Sequence, residues 1–170
     1  GIVAGENFII QQKFGINKLL TGLIASSFMI GFIIFSPIFV SLSKNINSIK
    51  LMGIGLFIWS ISTALCCISE HYLLLILFRA LVGIGEASFI SLSVPLIDDI
   101  SPIENNSKWL AFYFSMIPLG VSMGYILGGN IGEHFDWRIP FIIESFIMLP
   151  FAITAFFYYE KFTPDDVTIS

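Results

Sequence analysis

Charge is what this sequence has least of. Its 170 residues include 8 Lys and Arg and 12 Asp and Glu, 12% in all, about half the share carried by a soluble domain. Hydrophobic residues make up 56%, so the chain is built for lipid more than for water. The net charge is −4 and no basic patch exists, which argues against nucleic acid as a partner. Cysteine is nearly absent. The two present, Cys66 and Cys67, are neighbours, a spacing that disulfide geometry does not suit, and their apolar surroundings make them core residues. No phosphate-binding loop, Ser-His-Asp order or paired-Cys zinc motif is present, so nothing supports ATP hydrolysis, covalent catalysis or an enzyme of any kind. Glu133, His134 and Asp136 in "GEHFDWR" lack ligand spacing, and His71 stands alone in a loop, so neither is read as a metal site. No resident cofactor is expected. A signal peptide with a charged start and a small-residue cleavage site is also missing, and the opening "GIVAGENFII" reads as the end of a helix already under way.

What the chain does have is long apolar runs. A membrane-spanning helix needs about 20 mostly apolar residues, and five stretches qualify. Residues 19–42, 51–69 and 109–132 carry no charge, 72–97 carries only Arg79 and Glu86, and 139–159 carries only Glu144. The runs are continuously apolar rather than alternating, which makes them helices and not barrel strands. Residues 1–12 read as the last turns of a further helix, closed by a turn at "GINK". The joints between runs are short, so successive helices lie antiparallel. The expected architecture is an all-α, multi-pass membrane lobe over residues 1–160, of six helices with the first incomplete. A polar linker begins at 161–170.

Orientation is not decided by charge. Lys44, Lys50, Lys108 and Lys161 fall on one side and Lys13, Lys18 and Arg138 on the other, too even a split for the positive-inside rule. The sequon at Asn105 matters only if that joint faces a lumen. Gly120, Gly124 and Gly128 recur every four residues, and Gly83, Ala87 and Ser91 repeat the spacing on an earlier span. Such faces let helix backbones approach closely. Pro37, Pro95, Pro118 and Pro150 lie inside spans and can bend them.

The charges within the spans point to function. Each costs about 2.5–3.5 kcal/mol at a helix centre on insertion scales, so an intramembrane charge marks a working site by default. Arg79 and Glu86 are seven residues apart, close to two turns, so they share one helix face roughly 10 Å apart along the axis. That separation is too long for a tight bridge within the helix. Each must look to another helix, to water or to a ligand. Gly83 lies between them, and the sequence of charge, glycine, charge reads as the wall of a polar cavity. The competing reading is a pair of interhelical bridges that only fix packing. A buried carboxyl can load and release a proton, which suits Glu86 to proton coupling. The guanidinium of Arg79 stays charged and suits an anionic group. Glu144, the second candidate acid, lies five residues into its span and is expected near the interface.

The runs "FRALVGIGEASF", "FYFSMIPLGVSMGYILGG" and "DWRIPF" resemble the N-terminal half of a major facilitator superfamily transporter, and within that superfamily the Spinster branch. The resemblance covers residues 3–157, from the end of the first transmembrane helix through the sixth. It implies a proton-coupled or facilitative carrier of lysophospholipids or sphingoid lipids, with the proton as coupling ion. It matches Arg79 and Glu86 to the family's helix-4 pair, cavity residues that couple protonation to movement and meet the substrate. The family's first-helix Asp-Arg pair precedes "VAG", here Val3, Ala4 and Gly5, and falls upstream of Gly1. Glu6 does not match it. The joint "VSLSKNINSIK" departs from the superfamily pattern, with Val40 for Gly, Lys44 for Asp and Asn45 for Arg, which puts the usual conformational latch in doubt. By the same resemblance that joint is cytoplasmic. The implied partners are the lipid bilayer, an amphiphilic lipid or small-molecule substrate, and the C-terminal half of the same transporter. The membrane is either the plasma membrane or a lysosome-like organelle. A carrier of a small polar solute or organic anion, and a non-transporting receptor or scaffold on the same fold, are the alternatives. No pore-lining ring or filter sequence suggests a channel.

Overall fold

Asparagines in the polar joints set two of the helix starts. The Asn17 side chain accepts the Leu20 N–H at 2.9 Å. The Asn47 side chain accepts the N–H groups of Ile49 and Lys50 at 2.9 and 3.3 Å. Both satisfy donors that a helix N-terminus leaves open. A computed structural model of the protein describes residues 7–134 and 136–157. It contains six helices: α1 Asn7–Phe14, α2 Lys18–Leu42, α3 Ser48–Cys67, α4 Tyr72–Ile100, α5 Asn106–His134 and α6 Ile139–Phe157. No strand occurs among the described residues. Glu6, the linker expected at 161–170, and the side chains of Glu133 and His134 lie outside them.

Several helices extend past the apolar runs into the joints. α3 starts on its Asn47 cap, ahead of the first apolar residue counted at 51, and α4 continues through Asp98 and Asp99 to Ile100. Apolarity marks the part of a helix that lies in lipid, whereas caps mark where the backbone turns. Gly15, at φ 61°, makes the turn between α1 and α2, a conformation that L side chains rarely adopt. Five helices, α2 to α6, are long and apolar enough to cross a membrane. Their hydroxyls bond back to their own helix, as Ser36 does to the Phe32 carbonyl and Thr154 to the Pro150 carbonyl. Such bonds satisfy polar atoms where no water is present.

Packing is centred on α4, which lies against α2 and α3, while α3 also lies against α6 and α5 touches α4 and α6 only lightly. The α2–α4 contact is backbone on backbone. A Cβ on Gly83 would overlap the Phe28 carbonyl oxygen, and one on Gly31 would overlap the Ala80 carbonyl oxygen. On its other flank α4 meets α3 through Gly85, whose added Cβ would stand 2.6 Å from the Gly55 carbonyl oxygen. Gly83 is therefore a helix crossing and not a cavity wall, which corrects the reading of charge, glycine, charge as one lining. Gly120 has open space beside it, with nothing within 4 Å, so the glycine spacing of α5 makes no close approach there. The Tyr72 hydroxyl donates to the Leu20 carbonyl at 2.7 Å and ties the start of α4 to the start of α2.

Two apolar clusters fill the interior. One gathers Ile10, Ile24, Cys66, Cys67, Leu75, Val82, Trp137 and Phe141. The other gathers Phe39, Leu51, Met52, Ala87 and Leu92 from α2, α3 and α4. Cys66 and Cys67 are buried and free, as expected. Trp137 stands edge-on to Phe14 of α1 and to Phe141 of α6, at 5.8 and 6.0 Å, so the Trp of the "WR" pair is the plug between the first helix and the last.

Candidate functional site

Both flanks of α4 are occupied by neighbouring helices, and the face carrying Arg79 and Glu86 lies between those contacts. Arg79 is 8% exposed. Its guanidinium carbon lies 4.6 Å from the centroid of the Phe141 ring of α6, a cation–π seat. Its Nε and Nη2 are buried and have no hydrogen-bond partner. Glu86 is half-buried, and the charges of Arg79 and Glu144 both act on it. The structure thus places the sequence-predicted pair on one inward face, with the cation at the edge of the Trp137–Phe141 cluster and the acid beyond it.

Glu144, the second candidate acid, falls on the inward side of α6. It is half-buried, and the charge of Arg79 acts on it. The cause is the register of α6. Phe141 and Ala152, about three turns apart, are buried on one side of α6, and Glu144, three residues after Phe141, falls on that inward stripe. A pair of serines fixes the same level. Ser145 Oγ donates to the Ser60 carbonyl at 2.8 Å, and the Ser60 hydroxyl reaches the Ser145 carbonyl at 3.0 Å. This lock fixes α3 against α6 one residue from Glu144 and one residue from Trp59. The Trp59 Nε1–H is buried and closes no hydrogen bond of standard geometry.

Sequence reasoning named the three charged residues and missed Phe141 and Trp59. Phe141 belongs to the quoted "DWRIPF" run but carried no signal of its own. Trp59 sits in an uncharged span, and its only signal is that a buried indole N–H wants a partner. Arranged together, these groups form a polar cluster inside apolar helices. It holds one permanent cation, two carboxyls that can exchange protons, and N–H donors left open on Arg79 and Trp59. Such a cluster can hold an anionic group and move a proton.

The Major Facilitator Superfamily family model matches residues 2–168. The chain is 44% identical over 147 residues to the probable sphingolipid transporter spinster homolog 1 of Arabidopsis thaliana, covering 86% of this chain and 30% of that protein. It is 40% identical over 161 residues to spinster homolog 2 of the same plant, covering 92% and 33%. To the sphingosine-1-phosphate transporter of Danio rerio it is 36% identical over 142 residues, covering 81% and 28%. The chain spans about a third of the length of these curated relatives. Its five apolar helices and these relatives make it an integral, multi-pass membrane protein. With the helices, the inward charges and the family match taken together, the chain belongs to the Major Facilitator Superfamily.

Proposed function

We propose that the full-length protein is a secondary carrier of sphingoid lipids or lysophospholipids, coupled to protons through Glu86, and that this chain is its N-terminal half. In this reading the substrate sits near the bilayer midplane between two halves that rock around it. Arg79 holds the anionic head group, for which a planar guanidinium offers paired donors. Glu86 takes up and releases the proton during the cycle. The carrying observation is Arg79 itself, a buried guanidinium inside a membrane helix whose Nε and Nη2 have no partner. Open charge of that kind is costly unless a ligand uses it. The sphingolipid names of the relatives support a lipid over a small polar solute.

The test is uptake of sphingosine-1-phosphate by the full-length protein in sealed vesicles, with and without a pH gradient. The wild type is expected to respond to the gradient. Glu86→Gln is expected to lose that response while still binding the lipid. Unchanged gradient-driven uptake by Glu86→Gln would remove Glu86 from the coupling, and uptake of small organic anions but not lipids would favour the polar-solute carrier.

A further inference from the structure

We propose that the Thr63 hydroxyl of α3 is a second contact for the anionic head group, sharing with Arg79 one buried subsite between α3, α4 and α6. The inference rests on the carrier reading above and deepens it by naming a specificity-determining residue outside the charged set. Thr63 is fully buried, and its Oγ1 has no hydrogen-bond partner. Other threonines of this bundle behave differently. Thr21 and Thr154 donate to the carbonyl four residues back, at 3.1 and 2.8 Å, the bond by which a helix satisfies a hydroxyl away from water. Thr63 makes no such bond. A buried hydroxyl left open costs free energy unless something polar is enclosed beside it.

Helix register sets Thr63 level with Arg79. α3 and α4 run antiparallel and meet where a Cβ on Gly85 would stand 2.6 Å from the Trp59 backbone nitrogen. From that point Thr63 lies four residues, about 6 Å, along α3, and Arg79 lies six residues, about 9 Å, in the same direction along α4. The two therefore fall within about 3 Å of one level. α6 is tied to α3 on either side of that level. One tie is the Ser60–Ser145 pair of hydrogen bonds, and the other is the Cys67 thiol, which donates to the Arg138 carbonyl at 3.6 Å. Between these ties Phe141 falls within about one residue of the level of Thr63. Direction agrees with level. Around the helix axis Thr63 lies midway between Trp59 and Cys67, about 40° from each. Trp59 borders α4 and Cys67 borders α6, so Thr63 faces the seam between those two helices. The same seam holds the Arg79 guanidinium on the Phe141 ring, with Nε and Nη2 open. Open guanidinium nitrogens and an open hydroxyl at one level suit a phosphate, whose oxygens offer more acceptors than a guanidinium alone engages.

The experiment measures KM and maximal rate for sphingosine-1-phosphate, and for sphingosine, which lacks the phosphate, in phosphatidylcholine vesicles containing the full-length protein. Thermal unfolding of each variant is read alongside. Thr63→Val removes the hydroxyl and keeps the branched shape. It is expected to lower the preference for sphingosine-1-phosphate, read as the ratio of maximal rate over KM for the two lipids, by about three- to tenfold, the weight of one hydrogen bond to a charged acceptor. Its unfolding temperature is expected to be unchanged or higher, because an open buried hydroxyl is removed. Thr63→Ser keeps the hydroxyl and is expected to keep the preference. An unchanged preference in Thr63→Val, or an equal loss in Thr63→Ser, overturns the inference and leaves the carrier reading in place. A lower unfolding temperature in Thr63→Val marks a hydroxyl that serves packing, and it overturns the inference too. A wild type that transports neither lipid overturns the carrier reading itself, and this inference with it.

Discussion

Arg79 is seated on an aromatic ring, with the charges of Glu86 and Glu144 acting at a distance. Its guanidinium lies over Phe141, with two nitrogens unsatisfied. Replacing a buried charged cluster as a whole by apolar side chains of similar volume is often neutral or stabilising, whereas removing one partner leaves the others uncompensated. Arg79→Met combined with Glu86→Met and Glu144→Met is therefore expected to leave the melting temperature of the detergent-solubilised protein unchanged or raised, read by thermal unfolding. A clear fall would show that these charges serve packing. Arg79→Lys keeps the charge but loses the planar fork, and it is expected not to restore uptake of a phosphorylated lipid. At this scale the sequence was informative about α4 alone. Seven-residue spacing put Arg79 and Glu86 on one face by arithmetic. Nothing in that arithmetic could place Phe141 or Trp59 beside them, because contacts between helices are not written in the periodicity of either one. The direction of Glu144 was open for the same reason. Its depth was judged from the end of its own span, while its direction is set by the burial of Trp137 and Phe141 in the shared core.

The helices are joined where side chains are smallest. Gly31 and Gly83 let α2 and α4 touch through backbone, and Gly55 and Gly85 do the same for α3 and α4. Gly83→Ala would force a methyl group into the Phe28 carbonyl, and overpacking of this kind costs about 1–3 kcal/mol. A lower melting temperature is expected. Gly22, also inside α2, has nothing within 4 Å, so Gly22→Ala is expected to be neutral or to stabilise by up to about 1 kcal/mol through helix propensity. Equal effects of the two substitutions in thermal unfolding would contradict the crossing. Between α3 and α6, Ser60→Ala and Ser145→Ala each remove a hydroxyl that donates to the other residue's carbonyl, and each should cost about 0.6 kcal/mol in thermal unfolding, the usual size for hydrogen bonds between membrane helices. The sequence showed which helices had glycine spacing but not which glycines faced which. Gly83 belonged to a close crossing, whereas Gly120, with the more regular spacing, faces open space.

Among the described residues of the whole molecule, the outward surface carries many large apolar side chains. Leu73 is 75% exposed, Phe146 71% and Ile33 67%, side chains that a bilayer covers and water would not. This is why the spans were legible from composition and the arrangement was not. A helix apolar on every side carries no stripe to say which face is inside. Only the rare exceptions reveal it, and here they are the charges, the small residues and the serines. The charges and the Ser60–Ser145 pair gather between α3, α4 and α6, and two causes compete for that cluster: transport, or the fixing of helix packing. Replacing Arg79 and Glu86 together by methionine in the full-length protein separates them. The measurement is vesicle uptake of sphingosine-1-phosphate, with thermal unfolding of the same preparation. A site that serves transport predicts uptake reduced by at least about tenfold with no loss of unfolding temperature. Wild-type uptake by the doubly substituted protein would show that the charges serve packing alone.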